Sequence, residues 1–200
     1  MVLASVLLAG AGAVILVASI VGARHDRIPP REITVFRWIN RLPNWLYPIL
    51  WLPMQLGNLV VGCLAGLVVA VVEGDLGIAI GVVVATGMKL IVERVVRHEV
   101  AGYLTIRQRP GTSQPGAILR GDVPETGPSF PSGHVILIAA IACIVAIAFP
   151  PGLVWIPWVL AVLVAIGRVY VGAHNPLDVT SGFGAGMLIG GGLLVVAGWL

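Results

Sequence analysis

The sequence predicts an all-α, polytopic membrane protein with six transmembrane helices and an interfacial helix. The first supporting observation is composition: 58% of the 200 residues are hydrophobic and 10% are charged, against roughly 45–50% and 25% in soluble domains. The second is that apolar stretches of about 20 residues, the length that crosses a bilayer, stand between the charged residues. A soluble globular domain is therefore excluded, and the lipid bilayer becomes the first expected partner.

The six predicted spans are separated by charged or turn-forming residues. The apolar stretch between His134 and Arg168 is divided at 150–152, where two prolines and a glycine make a turn. The first apolar run lacks a basic start and a small-residue cleavage signal, so we expect it to remain as a span. The predicted spans are 2–22, 54–72, 75–94, 132–149, 152–170 and 179–200.

Residues 33–55 have a different pattern, in which aromatic residues alternate with arginines and prolines. Trp38, Trp45 and Trp51 are the largest of these side chains. Tryptophan is favoured at the headgroup level of a membrane, where its ring is half in water. This segment is therefore predicted to be an interfacial helix followed by an elbow.

The connection from Arg94 to Pro131 contains most of the polar residues, and a connection of this length is usually functional. Six alternating spans place it on the same side as the connections after spans one and five. That side carries every Lys and Arg of the sequence. The positive-inside rule would assign it to the cytoplasm.

The segment Phe130-Pro131-Ser132-Gly133-His134 stands where this polar connection enters an apolar helix. A helix N-terminus offers unpaired amides, Gly133 lets an anion approach the backbone, and Ser132 can donate a hydroxyl. With His134 as an acid, the segment has the chemistry of a phosphate site. By itself, it is equally an ordinary helix start with a surface histidine.

A second polar segment runs from Arg168 to Asp178, between the last two spans. Asn175 and Pro176 are typical of an N-cap and a first-turn proline, which would place Asp178 in the first turn with His174 just before it. The carboxylate could then bond one imidazole nitrogen and leave the other as a nucleophile. The alternatives are that Asp178 complements the helix dipole and that Arg168 is an interfacial anchor.

Together these residues resemble the type 2 phosphatidic acid phosphatase superfamily. Residues 131–134 match its Pro-Ser-Gly-His motif, and Arg168, His174 and Asp178 match its Ser-Arg-x5-His-x3-Asp motif at the correct spacing. The resemblance, over roughly 35–195, implies that His174 attacks phosphorus, that Asp178 orients it and that His134 protonates the leaving oxygen. The implied phosphate ligands are Lys89, Ser132, the Gly133 amide and Arg168.

Two departures from the family pattern matter. Gly167 replaces the serine before Arg168, and we expect this to be tolerated. The first motif, Lys-x6-Arg-Pro, begins at Lys89 but is not completed at the expected position. Arg97 stands one residue late, and Arg109, followed by proline, stands much later, so both remain candidates.

The expected activity is hydrolysis of a lipid phosphomonoester or diphosphate through a phosphohistidine. Polyprenyl diphosphate, phosphatidate and phosphatidylglycerol phosphate all fit a site at the membrane boundary. The alternatives are transfer of the phosphoryl group to an alcohol and a catalytically silent lipid-binding domain. We expect no metal or other cofactor, because the sequence lacks an acid-rich cluster or a His-x3-His pair and cations already surround the site.

The predicted domain is single, 1–200, with a first span and loop at 1–32 and a catalytic core at 33–200. The expected location is the cell membrane, with a phosphorylated lipid as partner and no nucleic acid. The resemblance favours an extracytoplasmic site, whereas the positive-inside rule favours a cytoplasmic one. We expect the extracytoplasmic site, because arginines that bind phosphate raise the count of basic residues used by the rule.

Overall fold

The computed structural model describes residues 2–24, 27–96 and 107–198, and the regular structure in these ranges is helical. This confirms the predicted all-α class. The helices are α1 (Val2–Ala23), α2 (Pro30–Asn40), α3 (Tyr47–Met54), α4 (Leu59–Glu73), α5 (Leu76–Val95), α6 (Pro110–Ser113), α7 (Gly133–Val145), α8 (Ile156–Tyr170) and α9 (Pro176–Ala197).

Three of these helices, α1, α5 and α9, are long and apolar enough to cross a membrane. A fourth candidate is the pair 44–57 and Leu59–Glu73, whose two parts meet at a bend of 75°. The helices at Gly133–Ala148 and Ile156–Tyr170 are apolar but shorter. Length and composition thus support three to four spans in the described residues, and the predicted number of six is not confirmed.

The region predicted as an interfacial helix followed by an elbow contains two helices. Helix α2 ends at Asn40, and α3 begins at Tyr47 after a 3-10 turn that follows Pro43. Proline has no amide to continue the ladder of the preceding helix, which explains the break. Helix α4 then starts at Leu59, later than the predicted 54, because the Asn58 side chain caps it by accepting from the Val60 amide at 3.0 Å.

Helix α7 is the centre of the fold, and nearly every one of its residues is buried. It packs against α4, α5, α8 and α9. The approach of α9 to α7 depends on glycines: a Cβ at Gly182 would lie 2.6 Å from the Ser132 carbonyl oxygen, and one at Gly190 2.6 Å from that of Ala140. This close packing brings the N-terminal ends of α7 and α9 together, where the two sequence motifs lie.

The structure describes the connection from residue 107 to residue 131. This part is folded onto the ends of the helices. Arg120 donates to the carbonyl oxygens of Asn40 at 2.8 Å and Tyr170 at 2.7 Å, which ties the connection to α2 and α8. The Asn40 side chain accepts from the Ile118 amide at 2.8 Å. The connection therefore forms one wall of the region at the N-terminal ends of α7 and α9.

Candidate active site

The sequence-predicted residues converge on one open cavity of about 400 Å³. Lys89 reaches it from α5, His134 from the first turn of α7 and Arg168 from the last turn of α8. The described lining also includes Arg109, Gly133 and His174. Ser132 and Asp178 are fully buried next to these residues in the chain.

The start of α7 has the predicted form. The Ser132 carbonyl accepts from the Ile136 amide at 3.0 Å, and the Ser132 amide donates to the Asp178 carbonyl at 2.9 Å. A side chain at Gly133 would collide with the carboxylate of Glu93. A larger residue here would displace the flexible ends of the Glu93 and Lys89 side chains at the cavity.

Two buried donors beside the cavity have no hydrogen-bond partner within the described ranges. They are the Ser132 hydroxyl and the Arg168 Nε. A buried donor without a partner loses the free energy of its hydration, so such groups usually serve a ligand, a water or an ion. Their position beside a cationic cavity suits an anion.

The imidazole of His174 is held by a backbone carbonyl. Its Nδ1 lies 2.8 Å from the Ser129 carbonyl oxygen. A carbonyl can only accept, so Nδ1 carries the proton and Nε2 is left with a lone pair. This ring orientation is the one that a histidine nucleophile needs.

The predicted direct bond from Asp178 to this imidazole is not formed. The Asp178 Oδ2 lies 3.9 Å from the His174 Nδ1. As predicted, α9 starts at Pro176 with Asp178 in its first turn, but Oδ2 accepts from the Asn175 amide at 2.8 Å and Oδ1 from Arg107 Nε at 3.0 Å. The helix start and the arginine draw the carboxylate away, and Ser129 takes its place.

Arg107 and its partner Glu32 were not found from the sequence. The Arg107 guanidinium forms ion pairs with both Asp178 and Glu32, and the Glu32 Oε1 also accepts from the Leu177 amide at 2.9 Å. These three side chains are at most 5% exposed. In the sequence, Glu32 looked like an acid in the first turn of a helix that follows two prolines. No spacing linked it to Arg107 or Leu177, which stand 75 and 145 positions further along the chain.

Glu93 is a third residue that the sequence analysis missed. Its Oε2 lies 2.8 Å from the Lys89 Nζ, one helical turn along α5. The i,i+4 spacing was a visible signal, because a glutamate and a lysine at this distance share one helix face. An acid thus stands among the cations that line the cavity.

The structure describes one of the two candidates for completing the first motif. Arg109 lines the cavity, and its guanidinium donates to the Ala173 carbonyl at 3.1 Å, directly before His174. Arg97 lies outside the described residues. Arg109 thus lies with Lys89 and Arg168 in the cavity lining, and the choice between the two arginines remains a prediction.

The electrostatic surroundings keep His174 neutral. Burial lowers the pKa of His174 well below 6.5, and the cations of Arg168 and Arg109 lower it further. A neutral imidazole has the free electron pair that nucleophilic attack requires. The ring is therefore ready to react near neutral pH.

Two further expectations concern Gly167 and metal ions. A Cβ at Gly167 would lie 2.6 Å from the Met54 Cγ, so a serine here would displace the flexible Met54 side chain of α3. Within 2–24, 27–96 and 107–198, no group of three or more His, Cys, Asp or Glu side chains is placed to hold a metal ion. The metal-free reaction remains a prediction.

A family model, the PAP2 superfamily, matches residues 76–200. The chain belongs to the PAP2 superfamily. The matched region runs from α5 to α9 and includes all the cavity-lining residues named above. It does not include Glu32, on the far side of His174.

Individual relatives agree with this assignment. The chain is 37% identical over 90 residues to the undecaprenyl-diphosphatase of Sulfolobus acidocaldarius, in a match that spans 44% of this chain and 43% of that protein, less than half of each. The fold is similar to that of the PAP2 type phosphatidylglycerolphosphate phosphatase of Bacillus subtilis, with a TM-score of 0.71, 19% identity and coverage of 95% of this chain and 97% of that one. LpxE of Aquifex aeolicus gives a TM-score of 0.63 and 22% identity, over 81% and 93%.

Proposed function

We propose that this PAP2 protein hydrolyses a phosphomonoester or diphosphate of a membrane lipid through a phosphohistidine on His174. The observation that carries the proposal is the held imidazole: Nδ1 donates to the Ser129 carbonyl at 2.8 Å, while the residue lines a cavity rich in cations. Such a ring is a directed nucleophile beside an anion site. A lipid substrate is supported by the apolar helices around this site.

The substrate phosphate would lie among the cations of the cavity wall. Lys89, Arg109 and Arg168 would neutralise its oxygens, and the unused donors of Ser132 and Arg168 would bind them as charge develops. The amide of Gly133, at the start of α7, would add the positive end of a helix. Positioning and neutralisation of charge supply most of the catalysis in phosphoryl transfer.

The reaction would proceed in two displacements. In the first, the lone pair of His174 Nε2 forms a bond to phosphorus, the bond to the leaving oxygen breaks, and His134 gives that oxygen its proton. In the second, His134 takes a proton from a water molecule, whose oxygen attacks phosphorus and breaks the N–P bond. Inorganic phosphate leaves and His174 is neutral again.

Asp178 has an indirect part in this proposal. Its carboxylate lies 3.9 Å from His174 Nδ1, close enough to stabilise the positive charge that the ring acquires during attack, without a direct bond. The Ser129 carbonyl fixes the tautomer. We therefore assign Asp178 as an electrostatic neighbour of the nucleophile.

The proposed substrate is a lipid that carries an exposed phosphate or diphosphate. The name of the Sulfolobus relative makes polyprenyl diphosphate the first compound to test. Phosphatidate and phosphatidylglycerol phosphate follow. We expect a multi-pass protein of the cell membrane with an extracytoplasmic site, which cysteine-accessibility labelling at Asp122, on the cavity rim, would test.

Phosphate release from these three lipids by the purified protein in detergent tests the proposal. The expected result is turnover by the wild-type protein and none by His174→Ala, with acid-labile and base-stable phosphate on the protein during the reaction. A labelled alcohol included in the assay would reveal transfer in place of hydrolysis. If the folded protein releases no phosphate from any of them and transfers none to the alcohol, the proposed activity is wrong.

A further inference from the structure

We infer that Arg107, anchored by Glu32, is a positioning residue for the nucleophile, because it holds both groups that face the Nδ1 atom of His174. This inference rests on the proposed function, in which His174 is the nucleophile. Arg107 does not line the described cavity, so it would act through other residues.

The first of these groups is the carboxylate of Asp178, which Arg107 holds through its side chain. The Arg107 Nε donates to Asp178 Oδ1 at 3.0 Å. The other carboxylate oxygen, Oδ2, accepts from the Asn175 amide and stands 3.9 Å from the imidazole. The arginine thereby fixes the distance between the negative charge and the ring.

The second group is the Ser129 carbonyl, which Arg107 holds through its main chain. The Arg107 carbonyl accepts from the Ser129 amide at 2.9 Å and from the Ser129 hydroxyl at 3.1 Å. The carbonyl of the same serine accepts from His174 Nδ1 at 2.8 Å. A shift of Arg107 would therefore move the hydrogen-bond acceptor of the nucleophile as well as its neighbouring charge.

Glu32 keeps Arg107 in this place from a separate helix. Its Oε1 accepts from the guanidinium and from the Leu177 amide in the first turn of α9. When ionised, Asp178 and Glu32 together carry two negative charges against one positive charge on Arg107. This buried cluster therefore presents a net negative charge behind an imidazole that becomes positive when its Nε2 attacks.

Charges on the other elements around His174 have the opposite sign. Arg168 on α8, Arg109 before α6 and, when protonated, His134 on α7 oppose protonation of the ring, whereas the Ser129 carbonyl that accepts from it favours protonation. The cluster offsets part of the cationic field that binds the phosphate. An ion pair with only a structural role would stabilise the fold but would not set the balance of charge around His174.

The first test is Arg107→Lys in the full-length protein, with Arg37→Lys, an exposed arginine on α2, as the matched control. Lysine keeps the charge but lacks the planar fork that reaches both carboxylates. We expect kcat to fall about 10- to 100-fold, by analogy with residues that orient metal ligands through hydrogen bonds, while KM and the inhibition constant of vanadate change less than twofold. An unchanged kcat, or a rise in KM at constant kcat, would overturn the inference.

The second test compares the pH dependence of kcat in Arg107→Met and Glu32→Gln. Removing the cation leaves the cluster more negative, so His174 binds a proton more easily and the acid limb should move to higher pH. Removing the Glu32 charge should move the acid limb to lower pH. Glu73→Gln, an exposed glutamate at the end of α4, is the control and should not shift the profile.

Opposite shifts of the acid limb distinguish a positioning role from a structural one. Loss of stability alone would lower the active fraction of both variants, and it would leave the acid limb of each pH profile in place. Thermal unfolding checks folding. If Arg107→Met does not fold, Glu32→Gln and Arg107→Lys decide the question by the same criteria. Shifts in one direction, or none, would refute the inference in an active enzyme, whereas a wild-type protein without phosphatase activity would refute the proposed function itself.

Discussion

The two sides of His174 differ in charge, exposure and contact with the cavity. The cavity side carries the cations of Lys89, Arg109 and Arg168. The buried side carries Glu32, Arg107 and Asp178, with at most 5% of each side chain exposed. The first side has the properties needed to bind a phosphate, and the second has those needed to hold an imidazole that becomes positively charged.

This difference teaches that one histidine requires two environments. Cations that attract phosphate also disfavour the positive ring that forms during attack. A negative cluster on the opposite face reduces this conflict without entering the cavity, where it would repel the substrate. Two acids also line the cavity side, the Glu93 carboxylate, 2.8 Å from Lys89, and Asp122.

The largest expected effect comes from the residue between the two sides. His174→Ala should abolish turnover, with a loss of at least about 10⁴-fold in kcat, because the covalent route requires the nucleophile. His134→Ala should still form a phosphoenzyme slowly, since it lacks the acid and keeps the nucleophile. Rapid-quench detection of labelled phosphoprotein is the measurement, and equal residual activity in both variants would contradict this assignment.

A smaller loss is expected from the cavity side alone. Arg109→Ala should lower kcat roughly 100- to 1000-fold, by analogy with removal of one oxyanion-hole donor, because this cation stabilises charge on the transferred phosphoryl group. Steady-state kinetics at saturating lipid measures the effect, with Arg97→Ala as the comparison that should change kcat little. Near-normal rates in both variants would show that neither arginine completes the first motif.

Glu93 offers a test of the sign of charge on the cavity side. Glu93→Gln should lower both KM and the inhibition constant of inorganic phosphate by roughly fivefold, because a carboxylate no longer competes with phosphate for Lys89. Initial rates at several phosphate concentrations give both constants. A higher KM would instead mean that Glu93 holds Lys89 in its binding position.

The smallest expected effect is that of removing metal ions. Activity should stay within about twofold in excess EDTA, because the side-chain cations provide the charge neutralisation that a metal ion otherwise supplies. The measurement is phosphate release before and after addition of EDTA, then with magnesium. Loss of activity that magnesium restores would place a metal ion on the cavity side.

The sequence was most informative where the chemistry is local. Asn175 and Pro176 predicted the start of α9 and the place of Asp178 in its first turn, as found. The Pro-Ser-Gly-His segment likewise predicted the start of α7. Such features depend on neighbours within a few residues, so their physical causes can be read along the chain.

The number of spans was less accessible to sequence reasoning. Apolar composition predicted six crossings, but it did not show that α4 would begin only at Leu59 after a 75° bend, or that α8 would be shortened to Ile156–Tyr170. Proline and an N-cap residue set these boundaries locally. Hydropathy measures how apolar a segment is, and it carries little information about where its helix turns.

By itself the sequence determined the helical class, the membrane character and most of the basic residues and histidines that line the cavity. Only the tertiary structure decided that Ser129, and not Asp178, accepts from His174 Nδ1, and that Glu32 joins Arg107 behind it. These partners are 45 and 75 positions apart. Contacts across such distances are set by how closely α2, α7 and α9 pack, and no local rule of helix starts or spacing specifies that packing.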